Sequence, residues 1–343
     1  MSDRTERRVS DDDTTRTQTR TRRRRAPGGL RVLYHYDAGE VLRRRLASLA
    51  DQGLDVHVCG ERDSARLQRL LPETEVLWHC LRPVDAKLLD AAPKLRLVQK
   101  IGVGVNTIDL DAARERDIAV CNMPGSNSQA VAEHALLLML ALLRRLRTFD
   151  ELVRADSGWS RSPRLEDGLG ELGGRSVGLV GYGSVPRVLA PVLQALGARV
   201  LYTATAAKDD AVGEFVALED LLAQADVVSL HVPLTKATRR LMDNDRIRSM
   251  RRGAILVNTA RGELVDARAL RAALDDGHLA GAGIDVFESE PIRGDDPLLG
   301  RADVVLSPHV AWLTQETLRR SVAIAAENAR RLVSGEPLLH RIV

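Results

Sequence analysis

Three side chains in the last third of this chain are spaced to do chemistry together. Arg261 lies in Asn258-Thr-Ala-Arg261-Gly-Glu-Leu-Val-Asp266, Glu290 in Asp285-Val-Phe-Glu-Ser-Glu290-Pro291, and His309 in Ser307-Pro308-His309. Each follows an apolar, strand-like run. A guanidinium grips a carboxylate through two parallel charge-assisted hydrogen bonds, a fork that Lys cannot reproduce. An imidazole titrates near neutrality and can protonate a nascent alkoxide. A neighbouring carboxylate favours the imidazolium and keeps that donor loaded. Glu288 and Glu290 compete for this last place, and Glu290, beside Pro291, is preferred. The set suits reduction of a 2-keto acid.

Upstream, Val177-Gly-Leu-Val-Gly181-Tyr182-Gly183-Ser184-Val185-Pro186 follows a strand and opens a helix. In that context Gly181 permits a tight turn, and Gly183 lets backbone N–H groups approach a pyrophosphate at the positive helix end. Pro186 stands where Gly or Ala is usual. Pro is tolerated in a first helical turn, where its missing N–H breaks no bond. Its ring is expected to push the helix slightly off the strand. About 20 residues on, an NAD site usually carries an acid for the ribose hydroxyls. Here Leu201-Tyr-Thr203-Ala-Thr205-Ala206 has none, and Asp209 and Asp210 come late. NAD and NADP both stay open as cofactors, with Thr203, Thr205 and Lys208 placed to meet a 2′-phosphate.

These groups need a scaffold, and the rest of the chain describes one. Short apolar runs alternate with helix-like stretches from Leu30 onward, the pattern of parallel sheets covered on both faces. A second alternating region starts at Ser176. At 343 residues the chain is long for one core, so two domains are expected. Val131 to Val153 reads as one long helix bridging them. Ser157 to Gly174, rich in Gly, Ser and Pro, reads as a linker. Asp266 is an N-cap for a helix over Ala267 to Leu274, which Gly277 ends.

The net charge of +3 divides unevenly. The first 27 residues hold nine Arg and five acids, leaving the body at −1. A near-neutral body is no nucleic-acid binder. Residues 1–28 read as a disordered basic tail, too poor in apolar groups to offset chain entropy. The longest apolar run, Ala135 to Leu143, falls far short of the roughly 20 residues of a membrane span. Cys59, Cys80 and Cys121 form no CxxC pair and read as buried free thiols of a cytoplasmic protein, with no metal cluster.

The chain resembles the D-isomer-specific 2-hydroxyacid dehydrogenases from about Leu30 to Val343. The hallmarks are Lys100-Ile-Gly-Val-Gly104-Val-Asn106, Asn127-Ser-Gln-Ala-Val-Ala-Glu133, the Gly loop, Asp226-Val-Val-Ser-Leu-His-Val-Pro-Leu-Thr235, and the Arg, Glu and His segments. The resemblance implies an α/β fold of two Rossmann-like, doubly wound parallel-sheet domains with the active site in the cleft between them. A substrate domain would comprise 29–128 and 313–343, and a dinucleotide domain 129–312. It implies Arg261 as clamp for the substrate carboxylate and carbonyl, His309 as acid/base and Glu290 as its partner. Gly102, Val103 and Gly104 would hold the substrate carboxylate by their backbone, and Trp312 would wall the pocket or pack in the core. Cofactor contacts would come from Gly181, Tyr182, Gly183, Ser184, Val185, Thr203, His231, Pro233, Thr259, Ala260 and Asp285, the last near the carboxamide. His231 is a structural or cofactor-lining residue, and His134 a packed or exposed one. A homodimer through the nucleotide domain is implied as well.

Glu290 separates two chemistries, because formate dehydrogenases of similar fold carry Gln there. With Val343 soon after the final helix, a regulatory domain of the kind attached to many phosphoglycerate dehydrogenases is not expected, which lowers without excluding a role in serine synthesis. The expectation is therefore a small 2-keto or 2-hydroxy acid as substrate. The alternative is a dinucleotide-sensing scaffold resembling the C-terminal-binding co-repressors. A phosphite-type dehydrogenase is a third reading. Arg82 either meets a second negative group on the substrate or faces solvent, and solvent is preferred.

Overall fold

The computed structural model describes residues 29–155 and 166–343. The predicted basic tail, 1–28, and part of the predicted linker lie outside the described residues. Two parallel sheets organise the rest. The first has five strands in the order β2-β1-β3-β4-β5. They are β1 (Leu30–His35), β2 (Leu54–Cys59), β3 (Val76–His79), β4 (Leu97–Lys100) and β5 (Ala119–Cys121). The second has seven, in the order β12-β11-β10-β9-β6-β7-β8. These are β6 (Ser176–Val180), β7 (Arg199–Thr203), β8 (Glu214–Phe215), β9 (Val227–Leu230), β10 (Ala254–Asn258), β11 (Leu279–Ile284) and β12 (Val304–Leu306). Every pairing in both sheets is parallel.

Both orders are doubly wound, as expected. In each, chain direction reverses beside the first strand: between β1 and β3 in one sheet, and between β6 and β9 in the other. Ligands bind outside the carboxyl ends of strands at such switch points. The central strands are buried on both faces and read as continuous apolar runs, as covered parallel strands do. The two-residue β8 carries too little pattern to be read from sequence.

The helix Gln315–Ser334 returns to the first sheet, where Asn328 Nδ2 donates to Gln99 Oε1 at 2.6 Å. Its Leu318, Val322 and Ala325 join one core with Leu30, Val32 and Trp78. The helix Ser128–Leu143 packs Leu138 and Met139 into the core of the second sheet, while its Val131 touches the first core. Asp266 caps the helix Ala267–Asp275 by accepting from Arg268 N and Ala269 N.

One expectation fails. The single helix over Val131 to Val153 is two helices, Ser128–Leu143 and Leu146–Arg154. Arg145 breaks it with φ of 47°. Gly170 N donates to Leu143 O at 2.9 Å, so a returning segment satisfies a carbonyl that a continued helix would use. A distant strand of chain thus ends a helix whose local pattern would have continued. The feared effect of Pro186 has a simple local setting: it is buried, the third residue of the helix Ser184–Ala195. No intrahelical N–H partner is lost there.

Candidate active site

The site is built at the carboxyl ends of three adjacent strands. Arg261 follows β10, Asp285 follows β11 directly, and His309 follows β12. Asn258, at the end of β10, shapes the first loop: its Nδ2 donates to Arg261 O at 2.7 Å, and its Oδ1 accepts from Ala260 N at 3.0 Å. The Arg261 guanidinium then crosses the cleft. Nε donates to Asn106 Oδ1 at 3.0 Å, and Nη1 to Ala260 O at 2.6 Å. Nη2 lies where a Cβ on Gly104 would fall 1.7 Å away, so a side chain there would displace the fork from this position. Burial draws the guanidinium pKa down, against the pull of Glu290 and Glu263.

Opposite the fork, His309 Nδ1 lies 2.7 Å from Glu290 Oε2. Glu290 Oε1 accepts from Phe287 N at 3.0 Å, which fixes the carboxylate. Burial alone would raise the Glu290 carboxyl. The His309 hydrogen bond and charge, the Phe287 N–H and Arg261 outweigh it and hold the pKa below the usual value. Both acids line the cavity, but only Glu290 bonds the imidazole, so geometry separates them.

Asp285 sets the turn that presents His309. Its fully buried carboxylate accepts from Ser307 Oγ at 2.6 Å, Val310 N at 2.9 Å and Ala311 N at 3.0 Å. His309 itself has φ of 55°, and its N–H donates to Asp285 O at 2.7 Å. His134 extends this network, with Nε2 2.8 Å from Ser307 Oγ. Trp312 Nε1 donates to His309 O at 3.0 Å, and its ring packs on Tyr36.

A cavity of about 310 Å³ joins these groups. Arg261, Glu290, His309, Trp312 and Gly102 to Gly104 all line it. Asn122 Nδ2 holds the glycine loop by donating to Val103 O at 2.8 Å. Arg82 is exposed and does not line the cavity. Lys100 does, though buried. Asn106 and Lys100 stood in the sequence only as parts of a motif. Their polar groups between apolar strand and loop were the available signal.

The residues expected to meet a dinucleotide lie at or just past the carboxyl ends of β6, β7, β9, β10 and β11. Gly181 has φ of 98°, and a Cβ there would come within 2.6 Å of His231 O. Nothing lies within 4 Å of a Cβ on Gly183, and no side chain caps the helix that starts at Ser184. Its first turn is therefore left without a side-chain cap, as anion binding at a helix start requires. Val185 touches both domain cores. Thr259 Oγ1 is buried without a protein partner, a donor left for a ligand. His231 lies 2.9 Å from Ser229 Oγ, and burial lowers its pKa to about 4, so the ring is neutral. Pro233 turns the loop, its carbonyl accepting from Thr238 Oγ1 at 2.6 Å. Thr203 O accepts from Gly181 N. Tyr182 is buried, its ring tilted against Tyr202 and its hydroxyl bonded to Val212 N and O, so the ring is held by the protein. The residues present fit a dinucleotide.

The sequence model for "D-isomer specific 2-hydroxyacid dehydrogenase, NAD binding domain" matches residues 136–311, just over half of the chain. The chain belongs to this family. A glyoxylate reductase of Korarchaeum cryptofilum is 42% identical over 74% of this dehydrogenase and 78% of its own length. A D-3-phosphoglycerate dehydrogenase of Mycobacterium leprae is 38% identical over 87% of this chain, which spans only 56% of that relative. Among solved structures, the D-lactate dehydrogenase of Aquifex aeolicus with NAD and lactic acid superposes with a TM-score of 0.78 at 28% identity, covering 89% of this chain and 96% of its own. Membership brings the reaction class, NAD-dependent hydride exchange at the CH–OH group of a 2-hydroxy acid. These relatives are reductases and dehydrogenases, and they lend no support to the co-repressor-like scaffold. Among the described residues no helix is long and apolar enough to cross a membrane, and no acid, His or Cys cluster could hold a metal.

Proposed function

We propose that the protein reduces a small 2-keto acid, with Arg261, His309 and Glu290 as its working residues. The observation that carries this reading is the His309–Glu290 hydrogen bond at 2.7 Å facing the Arg261 fork across one cavity. A bound nicotinamide supplies the hydride. Arg261, with the backbone of Gly102 to Gly104, holds the substrate carboxylate and orients the carbonyl. Glu290 occupies His309 Nδ1, which leaves Nε2 to give a proton to the carbonyl oxygen as charge builds there. Asp285 keeps the imidazole at its height.

For the cofactor, the lack of an acid at Thr203 supports acceptance of NADP beside NAD. Asp210, the later acid, is ion-paired with Arg187. Lys208, whose N–H is held by the Tyr202 hydroxyl at 2.9 Å, stands on that side. Exposed Leu137, Leu146 and Val153 on helices of the nucleotide side, with Leu196 at a helix end, support a homodimer interface there. The packing of the last helix supports domains of 29–128 with 313–343, and 129–312. Three buried free thiols suit a cytoplasmic location.

The test is oxidation of NADH and of NADPH, in parallel, against glyoxylate, hydroxypyruvate and related 2-keto acids. Turnover that His309→Ala removes, with dinucleotide binding retained, is the expected result. Binding without turnover of any keto acid would sink the reading.

A further inference from the structure

Two backbone N–H groups in the glycine turn are left over by the fold. Val103 and Gly104 line the catalytic cavity, and among the described residues neither N–H donates to an acceptor in the chain. The carbonyls of the same two peptides are held from the other side. Gly102 O accepts from Met123 N at 2.9 Å, and Val103 O accepts from Asn122 Nδ2 at 2.8 Å. A trans peptide is planar, with its oxygen and its N–H on opposite edges. Holding Gly102 O therefore aims the Val103 N–H away from residues 122 and 123, and holding Val103 O aims the Gly104 N–H the same way. Neither Asn122 nor Met123 lines the cavity, so the turn is gripped from behind.

One grip is a side chain that needs support of its own. Asn122 directly follows β5, and its N–H donates to His340 O at 3.2 Å. His340 belongs to a segment, 339–343, that runs antiparallel along β5. Cys121 bridges Arg341, Ile342 N donates to Val120 O at 2.7 Å, and Val120 N donates to Val343 O at 3.2 Å. Asn328, fully buried on the helix Gln315–Ser334, pins the start of this segment. Its Oδ1 accepts from Leu339 N at 2.7 Å, and its Nδ2 donates to Leu339 O at 3.0 Å. The same Nδ2 meets Gln99 Oε1, and Gln99 Nε2 in turn donates to Asn122 O at 3.4 Å. Both backbone groups of Asn122 thus trace back to Asn328.

We propose that Asn122 is a positioning residue for the substrate carboxylate, and that the segment 339–343, pinned by Asn328, sets its place. This rests on the reading of the glycine turn as a carboxylate site. Asn122 touches no reacting atom. Its bond to Val103 O fixes the direction of the Gly104 N–H, which with the Val103 N–H meets the carboxylate that Arg261 grips from across the cleft. A hydrogen-bonded path therefore joins residues 339–343 to the substrate.

The test compares full-length wild type with Asn122→Ala, Ile342→Pro and the double variant. Asn122→Ala should raise the KM for the keto acid about tenfold, with kcat and NADH affinity little changed. Oxamate, a carboxylate shaped like a 2-keto acid, reads the same contact without turnover. Its affinity for the NADH-loaded enzyme, by calorimetry, should fall by the same factor. Ile342→Pro removes an N–H that ties the segment to β5 and should raise KM as well. The double variant should be little worse than Asn122→Ala, because both act through one bond. Unchanged KM and oxamate affinity in Asn122→Ala would overturn its role, as would equal losses in kcat and NADH affinity. Additive losses, or an unchanged KM in Ile342→Pro, would overturn the part given to the segment. No turnover of any keto acid, with oxamate binding weakened by Asn122→Ala, would remove the reductase reading and leave the positioning role. No turnover and no oxamate binding would remove both. Thermal melting checks the fold, and Asn122→Leu, which keeps bulk without the donor, replaces the alanine variant if that does not fold.

Discussion

Arg261 Nε donates to Asn106 Oδ1 at 3.0 Å, a hydrogen bond between residues 155 apart that ties the two sides of the cleft at the substrate clamp. With Nη1 on Ala260 O, the bond fixes the guanidinium plane and leaves the Nη2 edge for a ligand. A fork held in advance loses less side-chain freedom on binding. Asn106→Ala should therefore weaken keto-acid use about tenfold, the scale of one hydrogen bond to a charged group. The loss should appear in KM more than in kcat. Steady-state kinetics with an unchanged KM would show that the clamp positions itself.

Glu290 is held ionised below its usual range by His309, Phe287 N–H and Arg261. The charge it keeps favours the imidazolium, which is the form that donates in keto-acid reduction. Glu290→Gln keeps a partner at His309 Nδ1 but removes the negative charge beside the imidazole. The basic limb of the kcat/KM profile for reduction should move to lower pH, with about a tenfold loss at neutrality. A pH profile with the limb unmoved would separate Glu290 from the proton transfer.

Asp285 serves three donors from a site with no solvent access. Asp285→Ala leaves the Val310 and Ala311 N–H groups and the Ser307 hydroxyl without that acceptor. Each unmade buried bond costs about 1–3 kcal/mol, so at least ~3 kcal/mol of stability should go. That corresponds to a fall in Tm of about 6–12 °C. Melting of the variant at the wild-type temperature would show that the 307–311 turn has other support.

Lys100 is charged at neutral pH, although burial brings its pKa down to about 8. Between about 8 and its ordinary 10.5 the unfolded chain holds a proton the folded one releases, so folding gains stability as pH rises through that window. Below it the full cost of the buried charge is present. Lys100→Met should therefore melt higher than wild type at pH 7, by an amount set by roughly 1–4 kcal/mol. The difference should shrink between pH 8 and 10.5. Calorimetry finding wild type the more stable at pH 7 would show that Cys80 O and His79 Nε2, which its Nζ meets, compensate the charge.

Local pattern alone carried much of this protein. Alternating apolar runs and helical stretches specify parallel sheets, because a strand buried on both faces must be apolar along its length. Gly181 in a strand-turn-helix setting specifies a turn with φ above zero, and Asp266 specifies a cap, because both are contacts within a few residues. Arg261, Glu290 and His309 were legible for a similar reason, each marking the end of an apolar run. Tertiary structure decided what depends on distant neighbours. Gly170 ends the helix at Leu143, Asn106 meets Arg261 from the other side of the cleft, and Asp285 carries the turn under His309. Glu290 instead of Glu288 reaches the imidazole, and Lys100 turns inward to the cavity while Arg82 faces water. Periodicity records which face a residue occupies. The partner it finds on that face is set only when elements far apart in the chain pack together.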